Sequence, residues 1–161
     1  MSFPKELRWL TAFFLCTLSI GFFLGLGFVN HTTHAETQGI IENYNGNEDN
    51  IEAEEMKFKK SQHEMLNILH THFLSLSVIF FLLGLLTYGV PMNRQFRKFL
   101  MLEPLLSILL TFGGIYFLWS GWEWMAYVVM LSGFLMTISF VLAVGLISKS
   151  LIYDKSKQST S

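Results

Sequence analysis

Cysteine is almost absent. Cys16 is the only one, it lies within an apolar run, and so no intramolecular disulfide and no cysteine-based zinc framework can form. It reads as a free, buried thiol. Charge is also scarce: 14% of residues are charged and the formal net charge is −1, which leaves no basic face to neutralise the phosphates of a nucleic acid. Gly-rich phosphate loops, His-Glu-x-x-His, Gly-x-Ser-x-Gly and Cys-x-x-Cys are missing, which argues against soluble-enzyme chemistry. No internal repeat with broken helices marks a secondary transporter. What the chain does have is apolar bulk, 52% hydrophobic residues with sixteen Phe among 161. A soluble domain of this length could not bury that much, so lipid is the expected solvent.

Four apolar segments are each long enough to cross a ~30 Å hydrocarbon core at ~1.5 Å per residue: 10–29, 65–90, 99–119 and 122–147. The first is expected to be a retained anchor. A cleaved signal would have a shorter apolar region and a better small-residue site than Thr33-His34-Ala35. Between the first two spans lies an aqueous loop, 30–62, with seven acids and three lysines. Tyr44-Asn45-Gly46-Asn47 is its turn signal, and 51–56 favours a short surface helix by residue type. A loop this long is either flexible or has a task. Pro91 closes the second span, and Pro104 is expected in the first turn of the third, where its missing N–H costs least. Ser120-Gly121 leaves room only for an antiparallel hairpin between the last two. The polar tail, 149–161, is expected to be disordered.

Basic residues set the expected orientation. Lys5, Arg8, Arg94, Arg97, Lys98, Lys149, Lys155 and Lys157, eight of the eleven, fall on one side of a four-span chain. The positive-inside rule makes that side the cytoplasm, with both termini inside and the acidic loop outside. Trp119, Trp122 and Trp124 then lie at the outer interface. The fold class expected is all-α: a four-transmembrane-helix bundle in a bacterial cytoplasmic (inner) membrane.

Each span carries small or weakly polar residues at helical spacing, the usual seams between membrane helices. They are Gly21 and Gly25 in the first span; His63, Asn67, His70, Ser77 and Gly84 in the second; Glu103, Ser107, Thr111 and Gly114 in the third; and Ser132, Ser139 and Ala143 in the fourth. Asn67, Ser77, Glu103, Ser107 and Thr111 are the polar residues expected to face the bundle. The seams need no ligand, being ordinary packing devices.

All five histidines, His31, His34, His63, His70 and His72, fall on the outer side. Imidazole is the commonest metal ligand, so His70 with His34, His31 and His63 is the candidate site for a transition metal or a haem b. Geometry limits it. His63 and His70 share a face but stand roughly 10 Å apart by helix rise, and His70 and His72 point to nearly opposite sides of one helix. Any site needs His70 plus a ligand from another element. The bland alternative is an imidazole bonded across the bundle or to interfacial water. Glu103 also has two readings, as a functional buried acid or as a carboxylate paired by the snorkelling Arg97 and Lys98. No second acid lies deep in another span, which counts against a proton relay.

Tyr44-Asn45-Gly46-Asn47-Glu48, Met56-Lys57-Phe58-Lys59-Lys60-Ser61, Glu64-Met65-Leu66 and His70-Thr71-His72 together resemble a pattern in uncharacterised small bacterial four-span membrane proteins. The resemblance covers the loop and the second span. It implies the same four-helix fold, no established activity and no catalytic residue. Three functions are expected from the sequence. The first is a non-enzymatic inner-membrane accessory or binding protein with a histidine-held metal or haem near the outer face. The second is a structural partner subunit that docks another membrane protein through its seams and outer loop. The third is a subunit of a membrane redox enzyme.

Overall fold

The computed structural model describes residues 4–48, 50 and 55–158, with side chains as far as Ile152. Among them the chain is all helix: α1 (Lys5–Thr33), α2 (Thr37–Asn45), α3 (Gln62–Tyr88), α4 (Arg94–Trp119) and α5 (Met125–Gln158). Four of these, all but α2, are long and apolar enough to span a bilayer. The expected surface helix at 51–56 falls largely outside the described residues.

Local chemistry starts the helices earlier than apolar runs alone suggest. At α3, Ser61 Oγ accepts from the Glu64 N–H at 3.3 Å while Glu64 returns to the Ser61 N–H at 2.7 Å, a capping box that was legible as Ser-x-x-Glu. At α4, Asn93 Oδ1 accepts from Gln95 N–H at 2.8 Å. Helix α4 therefore begins at Arg94, and Pro104, expected in the first turn, is its eleventh residue. The ring sits inside the helix, where it removes the ladder donor to the Leu100 carbonyl. Helix α5 also runs past its expected end at 147, because no Gly or Pro stops it between Leu146 and Gln158. Leu151 is buried there, and Arg8 of α1 donates to its carbonyl at 3.2 Å.

The interior is a three-helix unit of α3, α4 and α5, with α4 central. Half of α4's most apolar stretch is buried, against 6% for α1. The α4–α5 hairpin closes through Ser120-Gly121, where Gly121 takes φ 108°, a conformation that suits glycine. Its seam is tight. A methyl at Gly114 would lie 2.9 Å from Val129 Cγ2, so glycine lets the two backbones approach. Helix α1 instead leans on the flank of α5. Its Phe22 stacks on Phe140 at 3.8 Å and meets Phe80 of α3 edge-on. Bulky rings at that crossing keep the backbones apart. Gly21 and Gly25, expected in a seam, have nothing within 4 Å of the methyl an alanine would add. Cys16, expected to be buried, is exposed on this same loosely packed helix.

Candidate functional site

The loop between the first two spans is a built cap. Helix α1 ends at Thr33, the chain turns through positive φ at His34 and Ala35, and α2 folds back. Gly39 is required at this corner, because a Cβ there would overlap the Thr33 carbonyl. Asn47 staples the return strand of the loop: its N–H and side-chain amide donate to the carbonyls of Lys57 and Glu55, both at 2.9 Å, and its Oδ1 accepts from Lys57 N–H at 2.7 Å. Gly46 (φ 84°) passes so close to Lys59 N that a side chain would not fit. The cap is then tied to the bundle. Asn45 donates to the Leu118 carbonyl at 3.0 Å, Trp119 Nε1 donates to the Lys60 carbonyl at 2.7 Å, and the Lys59 ammonium lies 5.5 Å from the Trp119 ring. Burial pushes the phenol of Tyr44 up to about 12, against a hydrogen bond with Asn43.

The histidines do not converge. All five are exposed, and among the described residues no three His, Cys, Asp or Glu come close enough to hold a metal ion. His31 borders a surface hollow of about 250 Å³ with Asn43, Glu55, Lys57 and Lys60. His34 occupies the left-handed turn. On α3 the packed positions are Met65, Phe80, Leu83, Gly84 and Thr87. At 100° per residue they centre about 125° from the His63, Asn67, His70 stripe, so that stripe looks outward. His63, Asn67 and His70 are accordingly exposed and Ser77 is half-buried, which corrects the expected bundle-facing placement of Asn67. The imidazole that reaches a neighbouring helix is His72. Its ring stacks on Phe112 of α4 at 4.8 Å and its Nδ1–H donates to the Ile68 carbonyl at 2.8 Å. Among the described residues, then, the five histidines do not converge on one point.

Helix α4 carries the buried polar line. Glu103, Ser107 and Thr111 are all buried, at intervals of four. Ser107 donates to Glu103 Oε1, and the Thr111 and Ser132 hydroxyls meet across the α4–α5 interface at 2.7 Å. The expected pairing of Glu103 with Arg97 and Lys98 is not what the structure holds. Arg97 donates to the carbonyls of Val90 and Met92, at 3.2 and 3.3 Å, with its guanidinium over the Tyr88 ring. Lys98 is exposed. Six residues along a helix turn Arg97 about 120° away from Glu103, so the two serve different faces. Four buried side-chain oxygens find no hydrogen-bond partner among the described residues: Glu103 Oε2, Ser139 Oγ and Thr87 Oγ1 in the spans, and Asn45 Oδ1 in the cap. Sequence reasoning named Glu103 and Ser139 but could not see that either was unpaired.

Residues 34–158 match a family described as a transmembrane helical domain. That stretch takes in α2 to α5, more than half of the chain, and leaves out α1. No curated protein and no solved structure matches the chain.

Proposed function

The chain belongs to this transmembrane helical family and is an integral membrane protein; from that premise we propose that it is a non-enzymatic accessory subunit of an inner-membrane assembly, docking a partner's transmembrane helix along α1. Both termini and the α3–α4 loop are cytoplasmic in this reading, and the α2 cap is outside. The distribution of basic residues supports that orientation.

The observation that carries the docking role is the bare glycine seam of α1. Gly21 and Gly25 sit one turn apart with nothing within 4 Å of a Cβ at either position, on a span that is 6% buried. In lipid, exposed glycines contribute little packing, whereas a small-xxx-small face lets a second helix approach closely. The rigid cap and the three-helix unit hold α1 at both ends, through the α1–α2 corner and the Arg8–Leu151 bond. The histidine-held metal or haem gains no support, because its ligands point apart.

The test uses site-directed crosslinking in native membranes. In a Cys16→Ser background, Thr17→Cys places a thiol beside Gly21 on the same face. It should give one discrete adduct with a membrane protein, lost on Gly21→Leu or Gly25→Leu. A thiol that gives no discrete adduct, or one indifferent to both leucines, rules the docking face out.

A further inference from the structure

The interior holds a set of oxygens that packing alone does not explain. Glu103 is 9% exposed, nine residues into α4, roughly 14 Å from the start of the helix by its rise. Its Oε1 accepts from Ser107, and its Oε2 has no partner among the described residues. Ser139 is 1% exposed and its Oγ is equally unpaired. The register of the hairpin brings the two to one depth. Thr111 meets Ser132 and Gly114 meets Val129, so in this antiparallel pair Ser139 lies level with Pro104. Ser132 and Ser139 are seven apart and share a face of α5, as Thr111, Ser107 and Glu103 lie along one side of α4. Pro104 adds a further oxygen, since it cannot donate to the Leu100 carbonyl one turn before it.

From this arrangement we propose that Glu103, Ser107, Ser139 and the Leu100 carbonyl form a binding site for a small alkali cation, sodium in type, at the α4–α5 interface. The chemistry selects it in two steps. Every donor is a hard oxygen, the ligand class of alkali and alkaline-earth ions rather than of zinc or copper. One carboxylate supplies a single negative charge and, among the described residues, no cationic side chain is turned toward it, so a monovalent ion leaves the site neutral. A divalent ion would leave a net positive charge inside hydrocarbon, where charge is costly. A proton on Oε2 cancels the charge too, but one O–H can satisfy only one of the remaining oxygens, whereas a cation is held by several at once. The cation meets all these oxygens at once. Carbonyls released from a helix ladder coordinate sodium at membrane depth in other folds, and in the continuous helix α4 it is Pro104 that releases one.

The experiment is equilibrium binding of radioactive sodium to the full chain in lipid nanodiscs, at fixed pH and with choline chloride holding ionic strength. Saturable binding of one ion per chain is expected, competed by lithium and not by choline, and abolished by Glu103→Gln. Ser139→Ala removes a direct ligand and should weaken it at least about tenfold, the lower end of what even loss of a ligand's supporting group does to metal affinity. That second variant, which removes one unpaired buried oxygen, decides the matter even if Glu103→Gln fails to fold. Absence of saturable binding by the wild-type chain refutes the site. Binding unchanged in Ser139→Ala refutes this ligand set.

Discussion

The bond between Thr111 and Ser132 can be weighed quantitatively. Ser132 Oγ lies 2.7 Å from the Val128 carbonyl as well as 2.7 Å from Thr111 Oγ1. A hydroxyl has one proton. Ser132 therefore donates to Val128, and Thr111 donates to Ser132. Thr111→Val keeps the shape and removes the donor, leaving the Ser132 oxygen with an unused lone pair. Ser132→Ala removes the acceptor, but Thr111 can then turn its hydroxyl to the Ser107 carbonyl one turn back, as helical threonines do. The valine variant should therefore lose about 0.6 to 1.7 kcal/mol, the span from mean to maximum of interhelical bonds in membranes, and the alanine variant less. The double mutant should lose about 0.6 kcal/mol less than the sum of the two. Reversible unfolding in mixed micelles, followed by far-UV circular dichroism, measures all four corners of the cycle. Strictly additive losses, or a larger loss for Ser132→Ala than for Thr111→Val, refute this donor assignment.

His72→Ala should destabilise the bundle by about 0.5 to 1.5 kcal/mol through loss of its stack on Phe112, whereas exposed His70 should tolerate alanine; the same unfolding assay compares them, and the reverse order contradicts the face assigned to α3. Tyr44 gives a pH signature. The unfolded chain releases the phenolic proton near its ordinary value of 10.0 while the folded chain keeps it to about 12, so stability should fall as pH rises through that window, and Tyr44→Phe should flatten the fall. Protein purified from its native membrane should show no Soret band and no stoichiometric transition metal by mass spectrometry; either one, lost in His70→Ala, would restore the histidine reading. A cytoplasm-dependent reporter should be active when fused after Arg97 or Lys157 and silent within 42–55, and activity in that loop would invert the orientation.

The membrane class, the four helical spans and the α4–α5 hairpin were legible in the sequence because hydrophobic length and a Ser-Gly break are one-dimensional signals. So was the polar line Glu103, Ser107, Thr111, since a period of four is a property of the helix itself. Two start signals, Ser61-x-x-Glu64 and Asn93, were present and explain why α3 and α4 begin before their apolar runs. The direction each helix faces was not legible. Spacing grouped His63, Asn67 and His70 on one side of α3 correctly, yet only packing against Phe112 and Phe140 decided that this side is the outer one. The same holds for α1. Gly21 and Gly25 look like any seam until the Phe22–Phe140 stack turns that face away from the bundle. The loop between the first two spans reads as a polar linker, because the bonds that make it a cap join residues far apart in the chain, Asn45 to Leu118 and Lys60 to Trp119. Whether Glu103 is paired likewise depended on where Arg97 turned, toward the carbonyls of Val90 and Met92, a competition among partners that spacing cannot express. Periodicity determines which residues share a face; the faces of the neighbouring helices determine what that face meets.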